Sequence, residues 1–398
     1  MPEITDYATI ILLVAGGFAV AVLSTRLISR VAVPAPAVFL VGAAVVSNVF
    51  PGVYQHVPMQ TVERIAVGAL IVILLDGGVG IGWRNLRRSG RPVLSIGLIG
   101  TFATAGLLAV VAHLVLGFDW TTAGLIGAAL APTDPAVMFS VLGGKEVEGR
   151  SGTILEGEAG VNDPAGIALM LGMIELATHH DATGWVIPKE FVLEMGIGGV
   201  CGLIGARVVL ALLGRVRLPG EALHGLLVLT LAGTLYGATT LAGGSGFLAV
   251  FLLGLMLGDA DEQVLHHREI TQLTGALATL AELVVFVALG LTIHLDALTG
   301  DDWLNGVVLA AAMALLIRPA VVAATLGPAD LTRAERAFIA WSGLKGAVPI
   351  LLAAFGLIAG VGYGGEIYDV VFIVVLLSVV VQGTLVPVVA RRLRIPMR

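Results

Sequence analysis

Seven ionisable residues stand inside long apolar stretches of this chain: Asp76, Asp134, Glu158, Asp163, Glu282, Arg318 and Lys345. A charge at the centre of a bilayer costs at least ~2.5–3.5 kcal/mol on insertion scales, so such residues persist where they pair with one another or line an ion or proton path. Any one of them could be half of a buried ion pair. For the whole set, well-packed apolar residues would be the more stable way to hold helices together. An ion or proton pathway is the reading that covers them jointly.

Three of the segments carrying these charges have unusual local chemistry. Ala131-Pro132-Thr133-Asp134-Pro135 places two prolines around a carboxylate. Proline lacks the backbone N–H and clashes with the carbonyl four residues back, so Pro132 frees the carbonyl of Ala128 and Pro135 that of Ala131. Trp341-Ser342-Gly343-Leu344-Lys345-Gly346-Ala347-Val348-Pro349 combines two glycines, a lysine and a proline, and Pro349 frees the carbonyl of Lys345. Both helices are expected to open there. Lys345 would offset the facing carbonyl ends and Asp134 the facing amide ends. The third segment runs Glu156-Gly157-Glu158-Ala159-Gly160-Val161-Asn162-Asp163-Pro164. Glu158 and Asn162 are i,i+4 neighbours on one helix face, whereas Asp163 points about 140° away from Glu158. A carboxylate, an amide oxygen and the Gly160 carbonyl freed by Pro164 make a hard-oxygen site suited to a small alkali cation. Glu158 needs a different partner, for which Arg318 in Ile317-Arg318-Pro319 is the candidate. Glu156 reads equally as an acid complementing the helix dipole near its start. Glu282 has no evident partner, and the residues alone assign it no role.

The elements that must position these groups follow from composition. Of 398 residues, 57% are hydrophobic and only 13% charged, with a mean hydropathy of +0.99; a soluble domain carries ~25% charged residues. The chain reads as an all-α polytopic membrane protein. A spanning helix needs ~20 apolar residues, and thirteen stretches qualify: 6–24, 32–50, 62–82, 92–116, 121–142, 152–177, 190–213, 221–241, 244–258, 270–293, 303–326, 336–360 and 368–389. The 53 glycines suit helices packed closely in lipid. The single cysteine, Cys201, leaves no intrachain disulfide and no cysteine metal cluster. Nucleic-acid binding is not expected. Met1-Pro2-Glu3 lacks the basic n-region of a signal peptide, so the first span is expected to stay.

The two interrupted spans, fifth and twelfth, run in opposite directions. Two broken helices in matching positions of inverted halves are the sequence pointer to a transporter binding site. The expectation is one transmembrane transporter domain over 1–398, with inverted repeats at roughly 6–177 and 221–389, a connecting span at 190–213, and no soluble domain. Lysine and arginine set the orientation. Seventeen of the 22 fall in loops on one side, only Arg64 and Lys189 on the other, and Arg207, Arg318 and Lys345 lie within spans. This predicts a cell (inner) membrane protein with the N-terminus outside and the C-terminus in the cytoplasm.

Thr133-Asp134-Pro135, Glu158-x-x-x-Asn162-Asp163, Leu75-Asp76-Gly77-Gly78, Gly244-Ser245-Gly246-Phe247 and Gly343 through Pro349 occur together in this order. As a set they resemble the NhaP-type sodium(potassium)/proton antiporters of the first monovalent cation:proton antiporter family, over nearly the whole chain. The resemblance implies a thirteen-helix NhaA-like fold with two broken crossing helices, a dimerisation domain and a mobile core, a homodimer, and alternating access of elevator type. It implies that Asp163 trades a proton for a cation, that Asn162 supports it, and that Thr133, Asp134 and Asp76 complete or adjoin the cation site. The cation ligands proper would be Asp163, Asp134 and Thr133, with Glu158 and Arg318 a structural ion pair. An Asn-Asp pair implies electroneutral exchange. Three positions depart from the family pattern: Ala159 stands where many relatives carry serine, Asp76 where glutamate is usual, and Lys345 where arginine is usual. Some relatives end in cytoplasmic regulatory domains, and none is expected here. Apart from the transported Na⁺ or K⁺ and H⁺, no cofactor is expected, nor any enzymatic activity.

The rival classes are a cation channel, which broken helices and buried acids also serve, and an intramembrane protease. For the latter, Gly243-Gly244-Ser245-Gly246 and Gly258-Asp259 are the candidate motifs. A serine nucleophile needs a histidine within reach, but His266 and His267 fall in a loop and His294 at a span end. Close glycine packing is the preferred reading of Ser245. His179 and His180 titrate in the range of a pH sensor, although a solvated loop explains them equally. Arg207 reads as a snorkelling side chain.

Overall fold

A computed structural model describes residues 34–50, 58–142, 147, 149–179, 184–216, 218–219, 221–260 and 267–397. The expected first span at 6–24 lies outside them, as do Arg26, Arg30, Lys145, His180, Arg217, His266 and Arg398. The described residues are helical, and the only β pairing among them is an isolated bridge between Val147 and Met397. The all-α polytopic class read from the sequence is borne out. Seven of the described helices are long and apolar enough to cross a membrane.

The first helices are α1 (Ala35–Val49) and α2 (Met59–Ile81), followed by the short α3 (Trp83–Arg88). Gly82, with φ +72°, makes the turn between α2 and α3, a conformation open to glycine at little cost. Then come α4 (Gly90–Leu114) and the broken pair α5 (Trp120–Leu130) and α6 (Pro135–Val141). Asp119 caps α5, its carboxylate accepting from the Thr121 and Thr122 amides at 2.9 and 3.1 Å. The 29-residue α7 (Arg150–Thr178) runs unbroken through Pro164. It is followed by α8 (Val186–Leu213), α9 (Glu221–Leu241), the short α10 (Gly246–Gly258) and α11 (His267–Gly290). The last four are α12 (Gly300–Leu326), the broken pair α13 (Arg333–Trp341) and α14 (Ala347–Ile358), and α15 (Gly364–Leu393). Capping boxes at Thr299/Asp302 and Thr332/Glu335 start α12 and α13, satisfying orphan amides at both ends of each box. Three π-helical turns, at Ser95–Ile99, Met313–Ile317 and Ser378–Gly383, interrupt α4, α12 and α15.

The helices pack in two groups. In one, α2 lies against α10 and α11, with α1, α8 and α9 around them. In the other, α5, α7 and α14 are enclosed by α4, α12 and α15. A separate apolar cluster of Leu75, Val79, Ala206, Val209, Val250 and Leu253 holds α2, α8 and α10 together. The close approach of α2 to α10 depends on glycine. A Cβ at Gly78 would sit 2.6 Å from the Phe251 carbonyl oxygen and 2.8 Å from the Leu255 nitrogen. Without a hydrophobic drive between helices in lipid, such backbone contact is what packs them. The outward faces are apolar, for example Val192, Val200, Ile204 and Val208 on α8. The two groups meet where α7 packs on α8, α10 and α2 and where α14 packs on α2 and α11.

Candidate cation and proton site

The two breaks cross. Residues 131–134 and 343–346 are non-helical, and the Asp134 amide donates to the Leu344 carbonyl at 2.8 Å. At the first break the freed carbonyls of Ala128 and Ala131 both find partners. The Ala131 amide turns back tightly to the Ala128 carbonyl at 3.3 Å, taking the acceptor that Pro132 cannot use. Lys345 Nζ donates to the carbonyls of Ala131 at 3.0 Å and Pro132 at 2.8 Å. A cation thus sits at the C-terminal end of α5, where the helix dipole favours it. Its own amide donates to Ser378 Oγ at 2.9 Å. Across the break, the Asp134 carboxyl lies over Gly346, the N-cap of α14, so tightly that no Cβ would fit there. Two oppositely charged side chains therefore stand at opposite helix ends.

Beside the crossing runs α7. Arg318 grips Glu158 with two donors, NH1 to Oε1 at 2.5 Å and NH2 to Oε2 at 2.7 Å, with both residues 2% exposed. The Thr133 hydroxyl donates to Glu158 Oε1 at 3.4 Å and accepts from Asn162 Nδ2 at 2.8 Å. Thr133 and Asn162 thus belong to one network with the ion pair. Asp163 is turned the other way, as the angular argument requires. It is 8% exposed and its Oδ1 has no hydrogen-bond partner among the described residues, and the same holds for Asn162 Oδ1.

Asp163 faces a cavity of about 360 Å³ whose wall also includes Asp76, Asp134, Glu156, Glu282 and Phe286. The cavity lies on the seam between the two helix groups. It extends from Asp163 towards the end of α2 at Gly80 and Ile81, and Gly77, Gly80 and Thr279 at its margin are exposed. Asp76 Oδ1 accepts from the Thr274 hydroxyl at 2.8 Å. Among the described residues no three acids, histidines or cysteines converge as a metal cage. The acids are spread along the cavity instead.

The transmembrane sodium/hydrogen exchanger profile matches residues 17–392. The chain belongs to this family. It is 33% identical over 376 residues to the K(+)/H(+) antiporter NhaP2 of Shewanella sp. (strain ANA-3), covering 94% of this chain and 65% of that relative. It is 32% identical over 382 residues to the K(+)/H(+) antiporter NhaP of Alkalimonas amylolytica, covering 95% of this chain and 66% of the relative. To the Na(+)/H(+) antiporter ApNhaP of Aphanothece halophytica it is 28% identical over 337 residues, 81% of this chain and 63% of the relative. The chain thus spans just under two thirds of the length of these relatives. The structure of the sodium proton antiporter MjNhaP1 from Methanocaldococcus jannaschii at pH 8 shares its fold, with a TM-score of 0.83, 23% identity and 99% of both chains covered. The NhaP-type resemblance carried by the motifs is borne out, and this exchanger-family chain is a multi-pass membrane protein.

Membership in the exchanger family supports the transporter class over the protease reading. Ser245 instead caps α10, accepting from the Leu248 amide at 3.2 Å, and its glycine neighbours pack against backbone and ring atoms. Two residues of the cavity escaped sequence reasoning. Glu156, which the sequence reads equally as an acid complementing the helix start, stands beyond the first turn of α7 and lines the cavity. Glu282, to which the residues alone assign no role, lines it too. The available signal was the helical register of α11, in which Thr274, Ala278, Glu282 and Phe286 follow at intervals of four.

Proposed function

We propose that this chain exchanges Na⁺ or K⁺ for H⁺ as a secondary antiporter working by alternating access, with Asp163 as the carboxylate the two ions share. The observation that carries the reading is the Asp163 Oδ1 left without a hydrogen-bond partner among the described residues, buried in a cavity beside two crossed helix breaks. A bare carboxylate in a low-dielectric site is costly. A proton or an alkali cation relieves that cost, and one excludes the other. If the cavity can change sides only when Asp163 is neutralised, the two flows are coupled. Asn162, the neighbouring neutral amide, leaves one exchangeable charge, which favours electroneutral exchange. Asp134 and Asp76 supply further oxygens along the cavity. Thr133 and Asn162 hold the α7 segment to the crossing, and the Glu158–Arg318 pair ties α7 to α12.

The names of the relatives support both K⁺ and Na⁺ as cargo. The charge of the loops supports an N-terminus outside and a C-terminus in the cytoplasm of a cell membrane. On that orientation the cavity faces inward, since the arginine-rich α3 follows its α2 wall. The family resemblance also supports a homodimer and the two inverted repeats. The deciding experiment uses proteoliposomes with an imposed proton gradient, collapsed by adding each alkali cation in turn. D163N should abolish cation-dependent proton flux while the purified protein remains folded. Normal exchange by that variant would overturn the reading. Flux that saturates and reverses with the pH gradient separates a carrier from a channel.

A further inference from the structure

We infer that Glu282 is a second cation-binding carboxylate of the transport path, holding the ion on the α11 wall of the cavity before Asp163 receives it. The inference rests on the antiporter reading and adds a residue to it.

Glu282 lines the same cavity as Asp163, and its Oε1 is enclosed without a hydrogen-bond partner among the described residues. The other buried acids are accounted for differently. Glu158 is gripped by Arg318, and Asp76 takes the Thr274 hydroxyl. None of the ion pairs among the described residues reaches Glu282. An enclosed carboxylate oxygen that no donor among the described residues meets is costly to leave ionised and empty, and a proton or a cation relieves that cost. Lys345, the basic residue of the crossing, is spent on the carbonyls of Ala131 and Pro132.

The register of α11 places Glu282 deliberately along the path. Thr274, Ala278, Glu282 and Phe286 share one face, and all but Thr274 line the cavity. Thr274 holds Asp76, and Glu282 lies two turns further in, a rise of about 12 Å. Since no three acids converge on one point among the described residues, an entering ion passes from acid to acid instead of resting in one cage. Ala278 and Gly77, both small, leave the room for it. The oxygen set, made of carboxylates and a threonine, suits a hard monovalent cation.

The test measures exchange in proteoliposomes against NaCl and KCl concentration for the unsubstituted chain, E282Q and E282D. Glutamine keeps the size and removes the charge. E282Q should raise the apparent KM for the cation by about fivefold or more, the loss of about one charged contact. E282D, with its carboxylate drawn back by one methylene, should recover part of that shift. A KM for E282Q within about twofold of the unsubstituted chain overturns the inference, as does a fall in rate with KM unmoved that E282D does not recover. A second readout needs no turnover. Purified D163N is heated in NaCl, KCl or choline chloride. Alkali-specific stabilisation that survives D163N and disappears in the D163N/E282Q double variant supports the second site. Its absence in D163N, or its persistence in the double variant, overturns it. If D163N itself exchanges normally, the antiporter reading fails first, whatever Glu282 does.

Discussion

Glu158 and Arg318 pose the residue-scale question most directly, because each is buried and ionisable and neither faces the cavity. Their two short contacts satisfy both carboxylate oxygens, and the planar guanidinium fork matches that geometry as lysine cannot. Removing one partner leaves the other as an uncompensated buried charge, at a cost of about 3–5 kcal/mol. R318A should therefore lose most of its folded yield and unfold at markedly lower temperature in detergent. The double variant E158Q/R318M should recover much of that stability, because no lone charge remains. Asp163 is the contrary case. Its Oδ1 has no hydrogen-bond partner among the described residues, so D163N should leave stability close to unchanged while abolishing exchange. Thermal unfolding and flux, measured on the same preparations, separate the two roles.

Among the elements, the broken pairs α5–α6 and α13–α14 depend on side chains completing what their prolines leave open. Lys345 closes the α5 end, and K345M should leave the Ala131 and Pro132 carbonyls buried without that donor, at about 1–3 kcal/mol each. The expected outcome is loss of exchange together with a lower unfolding temperature, seen in flux assays and melting curves. At the other end of α5, the Thr122 hydroxyl and then the amides of Thr122 and Thr121 hold the Asp119 carboxyl below its ordinary value. A group lowered on folding stabilises the fold above the unfolded carboxylate's range and loses that contribution as pH falls through its folded value. D119A should cost about 1 kcal/mol as a lost cap at neutral pH and much less in strong acid. Melting curves across pH measure the difference. The positions of both breaks were legible in the sequence, since a proline's missing donor is a local property. The identity of the atoms that fill the gap was legible only in part. Lys345 and Asp134 could be assigned to helix ends by charge, but the carbonyls of Ala131 and Pro132 become specific partners only through the crossing.

At the scale of the whole molecule, two helix groups meet along a seam, and the acids line it. Which side of the membrane the cavity opens to depends on the orientation of the chain, for which the loop charges give the expectation. Cys201 is the only cysteine, so a C201S background allows single-cysteine mapping. A cysteine at Arg87 should react with an impermeant maleimide only in inside-out vesicles, and one at Asp301 only in right-side-out vesicles. The opposite pattern would reverse the topology.

The sequence by itself determined the membrane class, the two breaks and the residues with no business in lipid. Each of those follows from apolar length, proline chemistry or the cost of a buried charge, and all act over a few neighbouring residues. Only the tertiary structure decided which charge meets which. Arg318 reaches Glu158 across 160 positions of chain, and Thr133 turns to Asn162 and Glu158 instead of the cavity. Glu282 comes to line the same cavity as Asp163 because α11 packs against α2 along the seam with α7. Such meetings depend on how whole helices cross and rotate, and that is set by packing summed over many residues.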